Sequence, residues 1–263
     1  VEDLWHDRKV SLCIAASLVA VIAPLLLLFG LKHGVVSQLQ NELLSDPRNL
    51  EVKMLSSGNY DAAWIARLRE QPEVGFAIGQ TRSLNTQADL LVGLQRFVEN
   101  AEIIPSEAAD PLLNLPQIHL SGQQVILSDR AAQRLQAKVG DSVRLRATRR
   151  LDGINERGEL TLQVVAVLDA ARFGRAAGFV APPLLLALER FRDGYQVPAF
   201  GLDTGQPLGH LQPLYARARV YARDVDGVAP LERWLNGQNI ETSSRLADID
   251  NVKAINHVLG LIF

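Results

Sequence analysis

Cysteine is almost missing from this chain: the single one, Cys13, lies inside an apolar run, so neither an intrachain disulfide nor a cysteine metal site can form. A domain outside the cytoplasm can do without disulfides when its core is large enough, and the residues beyond the apolar run suffice for that. An excess of one charge is also missing. Against 29 Asp and Glu stand 27 Lys and Arg, and no five-residue basic run occurs, so nucleic acid is not expected as a partner. There is no G-x-x-x-x-G-K-S/T, which excludes ATP binding and hydrolysis of the P-loop type by this chain itself. G-x-S-x-G and H-E-x-x-H are absent too, and His6, His33, His119, His210 and His257 stand singly. No nucleophile and base pair is visible, so an anchored hydrolase is weakly supported. We therefore assign no catalytic, cofactor or metal residue and expect no enzyme.

What the chain does have is an uncharged run, Val10 to Leu31, bounded by Arg8-Lys9 and Lys32-His33. A hydrocarbon core of about 30 Å is crossed by about 20 apolar residues, with every backbone polar group bonded inside the segment. The run reads as a transmembrane helix in which Pro24 is tolerated. A secretory signal peptide has a shorter apolar region and a small-residue cleavage site; no A-x-A pattern follows Gly30, which favours an uncleaved span. Arg8 and Lys9 favour a cytoplasmic N-terminal segment, 1–9, while Lys32, Glu2, Asp3 and Asp7 weaken that signal. Helical register continues through Val35, Val36, Leu39 and Leu43 until Asp46-Pro47 ends it. Residues 32–46 thus form a stalk whose apolar face needs a cover.

Beyond the stalk, NLEVKML (Asn49–Leu55) reads as a strand and Tyr60–Glu70 as a helix with Trp64, Ile65 and Leu68 inward. Val74–Ile78 is a second strand, and a strand pair is expected within Ser83–Val98. Ser128 has the chemistry of an N-cap for DRAAQRLQAK, and Gly140-Asp141 turns the chain into a strand alternating Val143, Leu145 and Ala147 with Arg144 and Arg146. A polar loop, Arg149–Glu159, is expected before the strand Leu160–Leu168. Pro182-Pro183 opens a helix ending at Gly194. Residues 195–213 read as loop. Tyr215–Ala222, Val228–Asn236 and Asn239–Thr242 then give β-α-β, with Arg217, Arg219 and Tyr221 on the wet face of the first strand. Ser243 or Ser244 caps a final helix with Leu246, Ile249, Val252, Ile255, Leu259 and Ile262 at spacings of three and four. It reads as the start of a second membrane helix, with an amphipathic helix packed on the domain as the alternative. With no initiating Met, truncation at both ends is expected.

Two basic features have the composition of docking sites. The row Arg144, Arg146, Arg149 and Arg150, like Arg217 and Arg219, suits an anionic partner but is better read as the solvated face of an edge strand. The segment Ala170–Pro183, with Arg172, Phe173, Arg175 and Phe179, suits a partner-docking loop as well as a buried connector.

The order of these parts resembles the MacB/FtsX/LolC-type permeases of ABC transporters. The most specific stretches are VILSDRAAQRLQAKVGDSVRLRA followed by LTLQVVAVLD, and YARARVYARDVDGVAPLERWLNG leading to RLADIDNVKAINHVLGLIF. The resemblance implies an α+β fold: transmembrane helix 1 (10–31), stalk (32–46), a periplasmic core (47–243), then a second stalk and the start of transmembrane helix 2 (244–263). The core would divide into an α/β subdomain, 47–100 with 213–243, and a mostly β subdomain, 101–212. It further implies a multi-pass inner-membrane protein, a dimer of permeases, a partner ABC ATPase that binds the ATP, and a periplasmic protein or lipoprotein as client. The pathway would be lipoprotein transport, efflux, cell-envelope maintenance or regulation of secretion. In that scheme Val35, Leu39, Leu43, Leu246, Ile249 and Ile255 couple the two stalks, and the last three membrane helices of the family are lacking. A single-pass anchored binding or sensor module is the alternative.

Overall fold

The computed structural model describes residues 8–82, 86–251 and 254; within the first helix the side chains at 8, 9, 11, 31–33, 35–37 and 39–45 fall outside that set. The chain divides into two compact units, Leu50–Arg245 and the flanking Val1–Asn49 with Leu246–Phe263. In the flanking unit α1 (Arg8–Ser45) is a 38-residue helix containing Pro24. At 1.5 Å per residue it is about 57 Å long. Its Leu12–Gly30 stretch has a mean hydropathy of 2.8 and is unburied, which is the length and composition of a membrane anchor or a signal sequence. Ser17 donates its hydroxyl to the Cys13 carbonyl at 2.8 Å, so its polar group is satisfied within the helix. The short helix α2 (Pro47–Leu50) follows, with the Asp46 carboxylate accepting from the Arg48 backbone N–H.

The other unit is α+β. In chain order it contains β1 (Glu51–Met54), β2 (Tyr60–Asp61), α3 (Ala62–Arg69), β3 (Val74–Gln80), β4 (Gln87–Val92), β5 (Arg96–Pro105), β6 (Gln124–Ser128), α4 (Asp129–Leu135), β7 (Ser142–Leu151), β8 (Ile154–Leu168) and β9 (Ala177–Val180). Then come α5 (Pro182–Arg192), β10 (Leu214–Tyr215), β11 (Arg217–Ala222), α6 (Val228–Gly237) and β12 (Thr242–Ser243).

The first sheet has the order β12-β1-β11-β3, antiparallel throughout. Hence β1-α3-β3 and β11-α6-β12 are two split β-α-β units, each receiving a strand of the other between its own two, as in ferredoxin-like folds. The helices form for local reasons. The Asp61 carboxylate caps α3 by accepting from Trp64 N–H at 2.7 Å, and Trp64, Ile65 and Leu68 then fall on its buried face. In α6 Val228, Leu231 and Leu235 do the same.

The segment between β3 and β11 builds a closed six-stranded barrel, β4-β5-β9-β6-β8-β7. Closure requires two parallel pairings, β5 with β9 and β6 with β8, among antiparallel ones. Alternation sorts the strands: Leu90, Ile103, Val125, Leu127, Val143, Leu145, Leu162 and Val180 join one core with Leu135 of α4 and Leu188 and Phe191 of α5. Their neighbours Ile104, Ile126 and Phe179 point the other way, into a second core covered by Leu112 and Leu113. Ser128 caps α4, accepting from Ala131 N–H at 3.3 Å.

Three expectations change. The 149–159 stretch is hairpin rather than loop: β7 and β8 stay paired to Leu151↔Ile154 around an Asp152-Gly153 turn with φ of +50° and +82°, the conformation that Asp-Gly accepts. Gly158 is needed beside it, because a Cβ there would stand 2.7 Å from Phe200 Cβ. The segment that includes Phe179 supplies a barrel strand, β9, whose residues are all buried and so lack alternation. The 100/101 boundary falls within β5, and Gln87–Asn100 lies in the barrel because β4 pairs with both β5 and β7.

Candidate functional site at the junction of sheet and barrel

Directly paired residues share a sheet face, so Glu51↔Tyr221↔Phe76 and Lys53↔Arg219↔Ile78 lie together with Arg217. The opposite face carries Val52, Val220 and Ala77. The side that the alternation marked as wet is therefore covered by the barrel: Tyr221 and Arg219 are buried, and Phe76, Ile78 and Tyr221 form an apolar cluster there. This corrects the solvated-face reading of Arg217 and Arg219, since β11 is a central strand.

At the centre is an ion pair with no solvent access to speak of: the Arg219 and Asp110 side chains are 5% and 0% exposed, 2.5 Å apart. Arg219 donates to both Asp110 oxygens, to the Pro105 carbonyl at 2.7 Å and to Tyr221 Oη at 3.3 Å. Asp110 also accepts from Ser106 Oγ at 2.6 Å and Leu112 N–H at 2.9 Å. The guanidinium lies over the Phe76 and Tyr221 rings, 5.4 and 5.6 Å from their centroids. Burial works to lower its pKa, and the hydrogen bonds and charge of Asp110 more than reverse this, leaving it above its ordinary value. Burial pushes the Tyr221 hydroxyl up to about 12. Arg69–Glu107 (2.7 Å) and Arg82 with Asp193 and Glu189 (2.6 and 3.1 Å) add further ties across the junction.

Glu51 sits on this face under strain. Burial raises its carboxyl above the usual range, against the pull of Lys53, Arg219, Arg175 and Arg245. An acid with a raised folded-state pKa subtracts stability above that pKa and nothing below its unfolded value of about 4.5. Glu51→Gln is thus expected to raise the thermal midpoint at pH 7 by about 2 °C and to lose that advantage at pH 4. Thermal unfolding at the two pH values checks it; an unchanged or lower midpoint at pH 7 would refute it.

The arginine row of β7 is no open basic patch. Arg144 and Arg146 both bind Glu159 of the neighbouring strand, at 2.9 and 2.7 Å, and the Arg146 hydrogen bond first, then Arg144, holds that carboxyl below its usual range. Arg149 is buried, and β7 has partners on both sides. Of the docking-loop residues, Phe179 belongs to the second core and is removed from the docking surface. Phe173 is half-buried and meets it edge-on at 5.5 Å; Arg175 stays 71% exposed, paired with Glu102 at 2.8 Å and lying 5.1 Å over Phe173. Arg172 is half-buried beside them in sequence. Of the stalk residues, Ile249 is 1% exposed and Leu246 half-buried, while Val35, Leu39, Leu43 and Ile255 lie outside the described side chains. His119 and His210 are exposed, and among the described residues no cluster of His, Cys, Asp and Glu could hold a metal ion.

Asp110 and Thr81 escaped the sequence reading, and Arg149 entered it only as one of a solvated arginine row, whereas it is buried. Only Asp110 left a signal there, an acid flanked by Pro111-Leu112-Leu113 in an otherwise featureless stretch. Neither a protein-family model nor a curated protein sequence matches this chain.

Proposed function

We propose that this chain belongs to a permease subunit of an ABC transporter of the mechanotransmission type, in which a partner ATPase works in the cytoplasm and the Leu50–Arg245 unit moves in the periplasm. The observation that carries the reading is how the chain joins that unit. It comes in through β1 and goes out through β12, and those strands are hydrogen-bonded neighbours, Lys53↔Ser243 and Met54↔Thr242. The flanking segments on either side group into one unit of their own. A domain inserted into a membrane protein needs its two ends side by side in this way, whereas a terminal module needs only one. The split α/β sheet built from both ends, with the barrel from the middle, supports the same reading. The partners would be the ABC ATPase, a second permease and a periplasmic protein or lipoprotein; the location would be the bacterial inner membrane.

Affinity purification of the full-length protein from its own membranes tests this. Co-purification of an ABC ATPase is expected, and Leu39→Asp with Leu43→Asp should reduce the stimulation of that ATPase by about tenfold, since two charges on the stalk's apolar stripe disrupt helix pairing. A preparation with no ATPase, or stimulation untouched by the two substitutions, would leave an anchored binding or sensor module instead.

A further inference from the structure

Between the barrel-facing side of the sheet and the barrel lies a cavity of about 350 Å³ whose charged lining is Lys53, Arg175, Arg217 and Arg219 with Glu51 and Glu102. Three of those cations have carboxylate partners: Lys53 with Glu51 at 4.0 Å, Arg175 with Glu102 at 2.8 Å, and Arg219 with Asp110 at 2.5 Å. Arg217 has none among the described residues; its guanidinium meets only the Ser57 hydroxyl, at 3.3 Å. The wall therefore carries one uncompensated positive charge on a half-buried side chain.

A second observation points the same way. Among the described residues the Thr81 hydroxyl and the Arg219 Nε–H are buried without a hydrogen-bond partner, in residues only 2% and 6% exposed, and both residues line this cavity. Orphaned buried donors are rare and unfavourable. Here two of them, one on β11 and one just past the end of β3, line one space with a guanidinium that has no carboxylate partner among the described residues. An oxygen-rich anion supplies what all three lack: acceptors for Nε–H and the hydroxyl, and a charge for Arg217 that can be held bidentately.

We propose that this cavity binds a small oxyanion, the carboxylate or phosphate group of a soluble ligand, through Arg217, Thr81 and the Nε–H of Arg219. Its volume leaves room for more than the anionic group itself. The site goes beyond the permease reading and does not depend on it.

The test is isothermal titration of the full chain in detergent micelles with inorganic phosphate and, separately, with acetyl-alanyl-alanine, using the amide of that peptide as the uncharged control. Saturable binding of at least one anion is expected, with a Kd of about 1 mM or tighter, and none of the amide. Phosphate alone would mark a phosphate-bearing ligand and the peptide alone a carboxylate; either supports the site. Arg217→Gln should weaken binding by about tenfold and Thr81→Val by about fivefold. Both substitutions spare the Asp110 pair, and Thr81→Val should keep or raise the thermal midpoint because it removes an orphaned hydroxyl. No saturation by about 20 mM, equal binding of the amide, or full binding by both variants would overturn the proposal and leave a water-filled cavity.

Discussion

Asp110→Ala is expected to lower the unfolding free energy of the Leu50–Arg245 unit by about 4 kcal/mol, the largest loss we expect from a single substitution in this chain. The reason is what the change leaves behind. Arg219 keeps its charge in a place where its side chain is 5% exposed, and it loses two of its hydrogen bonds. The remaining acceptors, the Pro105 carbonyl and Tyr221 Oη, carry no formal charge. Ser106 Oγ and Leu112 N–H are orphaned in the same step. For a unit of this size such a loss shifts the thermal midpoint by about 10 °C. The decisive measurement is a cycle with Asp110→Leu and Arg219→Met combined. A buried pair replaced on both sides by apolar groups is nearly neutral, so the double variant should recover most of what Asp110→Ala loses. A double variant as unstable as the single one would mean that shape at the junction, rather than an unpaired charge, sets the loss.

The arrangement also explains why this junction was hidden in the sequence while the elements around it were legible. Trp64, Ile65 and Leu68 at helical spacing, the Ser128 cap, and Val143, Leu145 and Ala147 at period two each report a local contrast between core and solvent, and an element of the expected type forms at each, although α4 stops at Leu135 and β7 runs on to Leu151. Arg219 alternates with Ala218 and Val220 in the same way, but the far face of β11 meets a second body instead of water. Periodicity records that two faces differ, not what covers each. Barrel closure was illegible for a related reason. Its parallel pairings, β5 with β9 and β6 with β8, join segments far apart in the chain, and β9 is buried on both faces and too short to carry a pattern. Thr81 could not have been singled out at all, because an unsatisfied hydroxyl is a property of its surroundings.

Arg149 is the other position where one side chain organises a region, and replacing it with Met is expected to cost about 3 kcal/mol. Its side chain is 1% exposed, and all five of its N–H donors are used. Nε reaches Glu156 at 2.6 Å; one terminal nitrogen reaches the carbonyls of Phe191 and Tyr195 at 3.0 and 2.6 Å; the other reaches the carbonyl and hydroxyl of Thr204 at 2.8 and 3.0 Å. The guanidinium also lies 4.2 Å over the Phe191 ring. The barrel hairpin, the end of α5 and the irregular stretch after it are thus held by one planar fork. Lysine cannot reproduce that geometry with three donors on a point charge, so Arg149→Lys should still lose about 2 kcal/mol. The Tyr195 and Thr204 carbonyls, left without the fork, would loosen the irregular stretch before the barrel unfolds, while the Phe191 carbonyl keeps the Gly194 N–H at 3.1 Å. Amide exchange should therefore quicken about tenfold or more at Gln196 and Gln206, whose N–H groups bond the carbonyls of Gln206 and Gly194, while exchange at Leu145 and Leu162 deep in the barrel tracks only the global loss. Uniform acceleration across the barrel would instead mean that the stretch and the barrel open together, and that Arg149 holds a single cooperative unit.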